Sequence, residues 1–267
     1  MKPVITFTGA IKAELIKLKR TPILWIVLIS GFLVPGMLFL IYFFNVEDFS
    51  KRTGDPWLFF FDLGFMLTAM LFLAPFLVLV CSSVVYSEHS AGAWKYLYAL
   101  PLKKGSYYFS KLLTVMLLIL LSCVLFVLSV VLTAYLLDLF HPVYGFRSYP
   151  PALGHLLLRL LHALLSILGL IALHYWLSMR WKSFIAPIGI GLLGFIMAIF
   201  VVFIGQRFDL GVWLPYAYPM LTGLEFGSEP LGLEYWGWFT RVEVYSIGLF
   251  VLFCGVGFYE EWVKNVK

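Results

Sequence analysis

The sequence predicts an all-α integral membrane protein, because its composition, mean hydropathy and apolar pattern all indicate one. Hydrophobic residues make up 62% of the 267 residues and charged residues 12%, whereas soluble domains carry roughly 25% charged residues. The mean hydropathy is +0.96. The apolar residues form runs of about 20, the length that an α-helix needs to cross a bilayer. We expect one transmembrane domain over residues 1–267, without a separate soluble domain.

Six apolar runs predict six transmembrane helices. Pro35, Gly36 and Pro75 fall inside the first two runs and predict kinks, which neighbouring helices can accommodate in a membrane. The predicted spans cover residues 22–44, 60–86, 112–137, 156–178, 184–205 and 242–259.

Residues 4–20 predict an amphipathic helix that lies along the membrane surface. Apolar residues such as Ile11 and Leu15 share one helical face, and the charged residues lie largely elsewhere. The alternative is that this segment is only a basic flank of the first span. The charged residues of the interfacial helix are Glu14, Lys17, Lys19 and Arg20, together with Lys12.

The distribution of basic residues predicts the orientation of the chain. The net charge is +5, and most of the 19 Lys and Arg residues fall in segments that share a side with the N-terminus. The positive-inside rule therefore places both termini in the cytoplasm of a multi-pass cell-membrane protein. In a membrane protein the distribution of basic residues is more informative than the net charge. We expect the basic residues to contact the lipid bilayer and not a nucleic acid.

The outer loop at residues 206–241 is long, aromatic and interrupted by Pro215, Pro219 and Pro230. Its apolar segments are too short to span a membrane, so short re-entrant helices before the sixth span are expected. An ordinary outer loop with an aromatic belt is the alternative, since Tyr and Trp favour the membrane interface.

Several catalytic and ligand-binding motifs are missing from the sequence. It has no Gly-x-x-x-x-Gly-Lys-Ser/Thr phosphate loop, no His-Glu-x-x-His helix and no Gly-x-Ser-x-Gly elbow. The three cysteines, Cys81, Cys123 and Cys254, lie in apolar runs, which disfavours disulfides and a metal cluster. We expect no catalytic residues, no metal and no cofactor bound by this chain.

His155, Arg159 and His162 form a polar stripe on one face of the fourth predicted span. Ionisable residues inside a membrane helix indicate a functional site unless they pair or reach the interface. The alternative is that the stripe lies at the outer headgroup level, where Arg159 extends towards water. Asp62 and Glu243 fall near outer helix ends, and we expect both to remain hydrated.

The loop at residues 87–105 separates two apolar runs on the cytoplasmic side. A short helix there would expose Trp94, Tyr96 and Tyr98, more aromatic surface than a solvated loop normally carries. The loop is therefore expected to dock on a partner.

In this loop the chain resembles the type 2 ABC-exporter permease family. That family typically has an acidic residue, a glycine, a basic residue, a Leu-Pro pair and a lysine that opens the next helix. The matching residues here are Glu88, Gly92, Lys95, Leu100, Pro101 and Lys111. Residues 13–25 resemble the family's connecting helix as it enters the first span. Ala93 and His89 depart from the residues that the family often has.

The resemblance implies the permease subunit of an ABC exporter, with ATP and Mg²⁺ bound by a separate ATP-binding subunit. The cytoplasmic loop would be a coupling helix that docks on that subunit, and a second permease chain would complete a homo- or heterodimer. An amphipathic or hydrophobic substrate is expected, and the length is nearest to permeases of lantibiotic or bacteriocin self-protection. The coupling residues would be Glu88, Gly92, Trp94, Lys95, Tyr96 and Pro101.

Two other classes of function remain open at this point. An intramembrane enzyme acting on a lipid or isoprenoid would need convergent acids, bases or ligands, for which the His155–Arg159–His162 stripe is the candidate. A membrane-complex scaffold that transports nothing is the other alternative.

Overall fold

The structure is a computed structural model that describes residues 6–19, 21–51, 54–90, 104–181, 183–226 and 230–263. Within these ranges six helical segments are long and apolar enough to cross a membrane, as the sequence predicts. Four spans are single helices: span 1 is α2 (Ile23–Phe44), span 3 is α6 (Lys104–Phe140), span 4 is α7 (Leu153–Arg180) and span 6 is α11 (Arg241–Val263). Span 2 consists of α4 (Pro56–Leu67) and α5 (Leu73–Ser90), joined by a π-helical turn at Thr68–Phe72. Span 5 is α8 (Ile185–Ile199), which ends in a π-helical turn at Phe200–Ile204.

The remaining elements are short. An N-terminal helix precedes span 1, and the other elements lie in the connections between spans. They are α1 (Phe7–Leu18), α3 (Val46–Ser50), α9 (Phe208–Gly211), α10 (Tyr218–Glu225), three 3₁₀ turns (Pro142–Tyr144, Phe146–Ser148 and Pro215–Ala217) and a hairpin of β1 (Tyr235–Trp236) with β2 (Phe239–Thr240).

Span 3 differs most from the sequence prediction, because its helix has 37 residues where the apolar run covers 112–137. The helix continues through polar residues whose side chains have partners. At one end Lys111 is fully buried against carboxylates. At the other end Asp138 accepts a hydrogen bond from the backbone N–H of Phe146, at 2.9 Å. Hydropathy measures apolar character alone, so it does not register a polar residue that is neutralised by packing.

Two pairs of spans pack closely: span 1 with span 3, and span 4 with span 6. A Cβ at Gly31 of span 1 would lie 2.6 Å from the Cβ of Leu125 in span 3. A Cβ at Gly169 of span 4 would lie 2.7 Å from the backbone oxygen of Ser246 in span 6. Helices in a membrane associate through such close contacts at small residues, because burial against lipid supplies little driving force.

Span 2 lies between the two pairs and contacts spans 1, 3, 4 and 5. Span 5 packs mainly on span 2 and is the least buried of the six described spans. Any displacement of span 2 therefore reaches both pairs.

The bundle has two ends, which we name by what lies there. The α1 end holds α1, the end of span 2, the start of span 3 and the end of span 4. The hairpin end holds the β-hairpin and the connection between spans 3 and 4. There the indole N–H of Trp57 donates to the backbone oxygen of Phe146, at 2.9 Å.

The connection from span 5 to span 6 has a buried part and an exposed part. Helix α10 packs against the π-helical turn of span 2 and against span 4, and the Tyr216 hydroxyl lies 2.8 Å from Nε2 of His174. The hairpin aromatics, by contrast, are about half exposed, as at Trp236 and Trp238. The connection therefore contains a short helix packed against the spans, followed by a hairpin with exposed aromatic side chains.

Candidate functional site

A buried ionic cluster at the α1 end joins three elements that are far apart in the sequence. Lys17 of α1 donates to Glu14 at 2.7 Å and to Glu88 of span 2 at 2.6 Å. Lys111 of span 3 donates to Glu14 at 2.7 Å and lies 3.0 Å from the same Glu88 carboxylate. The Tyr107 hydroxyl donates to the second oxygen of Glu88. We call these five residues the α1-end cluster.

The charges of the α1-end cluster cancel, since it contains two carboxylates and two ammonium groups. Lys111 is fully buried, and Glu14 and Glu88 are nearly so. Burial lowers the pKa of Lys17, but the charges and hydrogen bonds of Glu88 and Glu14 outweigh that effect and raise it above the ordinary 10.5. A buried charge is tolerated only when it is paired and hydrogen-bonded. The pairing therefore fixes the three elements in one arrangement.

Local helix geometry brings the cluster residues together. Glu14 and Lys17 are three residues apart in α1, and Tyr107 and Lys111 are four apart in span 3, so each pair shares a helical face. The Lys111 ammonium also lies 5.5 Å from the centroid of the Tyr107 ring, within the range of a cation–π contact. The buried side of α1 includes Ala10, Glu14 and Leu18, and this side packs on span 3.

The α1-end cluster lies on both flanks of the segment that the sequence predicts to dock. Glu88 precedes residues 91–103, and Tyr107 and Lys111 follow them. His89 is also held, because its Nε2 lies 3.3 Å from the backbone oxygen of Ser178 in span 4. Gly92, Trp94, Lys95, Tyr96 and Pro101, the predicted docking residues, lie outside the described residues, as does Arg20 of the predicted interfacial helix.

Glu88, one of the predicted docking residues, lies in the last turn of span 2. Helix α5 continues to Ser90, and the Glu88 carboxylate points into the bundle, where it is almost fully buried. Two lysines and a tyrosine hydroxyl attract it there, so it offers no exposed acceptor to a partner. Of the other predicted interfacial residues, Glu14 and Lys17 belong to the cluster, and Lys19 is exposed.

The polar stripe of span 4 divides into two separate contacts at the hairpin end. His155 lies 2.8 Å from Asp62 of span 2, and Arg159 forms an ion pair with the same carboxylate. His162 instead lies 2.6 Å from Glu243 of span 6. The three residues therefore do not converge on one point, as an intramembrane catalytic site would require.

His162 and Glu243 are both buried, and further contacts hold them in place. The His162 ring stacks between Phe226 and Trp238, with centroid distances of 4.5 and 4.3 Å. Glu243 also accepts a hydrogen bond from the backbone N–H of Thr240, at 2.8 Å. The expectation that Glu243 is hydrated is wrong, because the hairpin covers it; Asp62 retains partial exposure.

The sequence indicated residues of these polar sites more often than it indicated which residues pair with one another. Tyr107 was not predicted as a site residue, and Lys111 entered only through the family resemblance. A lysine, a tyrosine and a carboxylate at helix ends give no signal that they meet, since Lys111 and Glu14 are 97 positions apart. Within the described ranges no three His, Cys, Asp or Glu side chains come together as metal ligands.

The fold and the α1-end cluster define a polytopic helical membrane protein whose N-terminal helix is joined to its spans by buried charges. The class agrees with comparison to known families: residues 10–198 match the family described as ABC-2 family transporter protein. The chain belongs to that family. It is thus the membrane subunit of an ABC transporter, which works with an ATP-binding subunit. Comparisons with curated proteins and with solved structures found no match.

Proposed function

We propose that this chain is the permease of an ABC exporter, driven by a separate ATP-binding subunit that docks on residues 91–103. The observation that supports this proposal is the α1-end cluster. It holds α1 and both flanks of the docking segment, through Glu88 before it and Lys111 after it. A force applied to the segment is therefore transmitted to α1, span 2 and span 3 together.

The mechanism is a two-state switch in which the cluster acts as a rigid joint. ATP and Mg²⁺ bind the partner subunit, and the greater affinity of ATP for the closed ATPase dimer drives closure. The docked segment follows that movement. Span 2 then carries the displacement into both span pairs, because it contacts spans 1, 3 and 4.

The substrate, orientation and assembly follow from the same proposal. The α1 end faces the cytoplasm, where the partner subunit is found, and the positive-inside distribution supports this orientation. Two permease chains and two ATP-binding chains form the working unit. The substrate is amphipathic or hydrophobic, in keeping with the apolar walls of the spans. Trp94 and Tyr96 make the docking contact, and Glu88 is a positioning residue that acts through the cluster.

Two variants distinguish binding of the ATP-binding subunit from transfer of its movement to the spans. Both are tested with the chain reconstituted in liposomes together with that subunit. Trp94→Ala should leave the permease folded but lower its co-purification with that subunit. Glu88→Gln should retain co-purification but lose most of the stimulation that the permease gives to ATP hydrolysis. Thermal stability measured by size-exclusion chromatography shows whether each variant is folded.

Arg180→Gln is the matched control, since Arg180 forms an exposed ion pair with Glu260 at the same end of the bundle, at 2.9 Å. It should change neither co-purification nor ATP hydrolysis. Wild-type stimulation in both Glu88→Gln and Trp94→Ala would overturn the proposal.

A further inference from the structure

An apolar groove of about 310 Å³ runs between spans 3 and 4 at the middle of the bundle. Although these spans are consecutive in the chain, each packs most closely on another partner, span 3 on span 1 and span 4 on span 6. The rim residues remain substantially exposed, as at Leu128 and Leu157. The lining consists of Leu120, Cys123, Val124, Val127, Leu128, Leu157, Leu160, Leu161 and Leu164.

The groove opens along the middle of spans 3 and 4. Towards the α1 end the Tyr175 hydroxyl of span 4 donates to the backbone oxygen of Tyr108 in span 3, at 2.8 Å. Towards the hairpin end the connection between the two spans folds back onto span 3, where Phe146 N–H donates to Asp138. The lining residues lie in the central part of both spans, which is the part that the hydrocarbon layer surrounds in a bilayer.

An inner cavity of about 40 Å³ between spans 1, 2, 3 and 4 adjoins the groove. The two share Cys123, Leu160 and Leu164 as lining residues. At the far wall the hydroxyls of Ser30 and Ser122 satisfy each other at 2.6 Å. The π-helical turn of span 2 (Thr68–Phe72) forms another wall, and such turns are frequent at functional sites.

We propose that this groove binds one hydrocarbon chain of a bilayer phospholipid, with the end of the chain in the inner cavity. The outer lining is apolar apart from the Cys123 thiol, so it favours no polar headgroup and no peptide backbone. The hydroxyls of Ser30 and Ser122 are already paired with each other, so they require no polar ligand. The terminal methyl group of an acyl chain can therefore lie beside them. The opening lies along the middle of two spans, where lipid chains are the solvent. The headgroup of the bound phospholipid remains outside the groove, at the same depth as the headgroups of neighbouring lipids.

Photo-crosslinking tests the proposal with the purified full chain in phosphatidylcholine nanodiscs. The probe is phosphatidylcholine that carries a diazirine at the end of one acyl chain, and adducts are mapped by peptide mass spectrometry. Adducts are expected on the inner-cavity residues of spans 2, 3 and 4, such as Phe72, Phe126 and Ala163, as well as on exposed surface. Cys123→Phe, which fills the junction of groove and cavity, should abolish the inner adducts.

Leu193→Phe, on the exposed face of span 5, is the matched control and should leave the inner adducts unchanged. Adducts confined to exposed positions of the wild-type chain, with none in the inner cavity, would overturn the proposal without any variant. One other result would also refute it: inner adducts that persist in a folded Cys123→Phe chain.

Discussion

The two ends of the bundle each contain a polar cluster, but the clusters are built from different side chains. At the α1 end two lysines meet two glutamates, and three elements are joined at one point. At the hairpin end His155 and Arg159 meet Asp62, while His162 meets Glu243, in two separate contacts. A histidine contact with a carboxylate is an ion pair only when the ring is protonated.

This difference indicates different tasks for the two ends. The pKa of Lys17 is raised, so the stabilisation that its charge contributes is lost only as the pH rises above its ordinary 10.5. At neutral pH Lys17 therefore stays charged and joins α1 to span 2. The hairpin end instead holds the connection between spans 5 and 6 in place, through the contact of Glu243 with His162 and Thr240.

Lys111→Met should produce the largest effect, because it leaves two carboxylates in a buried site with only Lys17 beside them. Removing one partner of a buried ion pair typically costs about 3–5 kcal/mol. The loss should appear as a lower midpoint of thermal unfolding in detergent, followed by size-exclusion chromatography.

Two further variants show whether that loss arises from charge. Lys111→Arg keeps the charge and should recover part of the stability. The double variant Glu14→Gln with Lys111→Met should be less destabilised than the sum of its parts, since each change removes the other's unpaired partner. Strict additivity would mean that the two side chains do not interact.

Glu243→Gln should have an intermediate effect. The amide oxygen can still accept from Thr240, but the group 2.6 Å from Nδ1 of His162 is no longer a carboxylate. Hydrogen bonds to charged groups contribute about 1.5–3 kcal/mol, and we expect a loss in that range. Hydrogen exchange should rise in the hairpin at residues 230–240 and remain unchanged in α1.

The control for that variant is Glu234→Gln, which removes an exposed partner of Arg241 from the same hairpin. It should leave hydrogen exchange close to the wild type. Equal protection of the hairpin in Glu243→Gln and wild type would show that the buried contact does not hold it.

Arg180→Gln should have the smallest effect of all on stability. Arg180 and Glu260 form an ion pair at the α1 end, but both side chains are solvent-exposed to a considerable extent. Exposed pairs contribute about 0–1 kcal/mol. A loss as large as that of Lys111→Met would show that location at the α1 end, and not burial, determines the contribution of a charge.

The spans could be predicted from the sequence because apolar runs of sufficient length are a local property. The amphipathic pattern likewise predicted α1, which the structure describes at Phe7–Leu18. The bounds of span 3 were less accurate, since its helix continues through residues such as Lys111 that are stabilised by distant partners.

The clusters themselves could not be predicted, because pairing depends on which helices are neighbours. The stripe of span 4 was visible as a spacing, but neither Asp62 nor Glu243 was recognised as its partner. Glu88 was recognised through the family resemblance, but its partners Lys17, Lys111 and Tyr107 were not. Its burial becomes apparent only when α1 is placed against spans 2 and 3.

The position of Glu14 has a consequence for the order in which the chain is assembled. During synthesis α1 is made before the spans, but its carboxylate cannot meet Lys111 until the chain has been made as far as the start of span 3. Until then Glu14 has only Lys17 of the cluster's lysines beside it. The N-terminal helix can thus reach its final position only after two spans have been made, so its docking depends on the assembly of the first half of the protein.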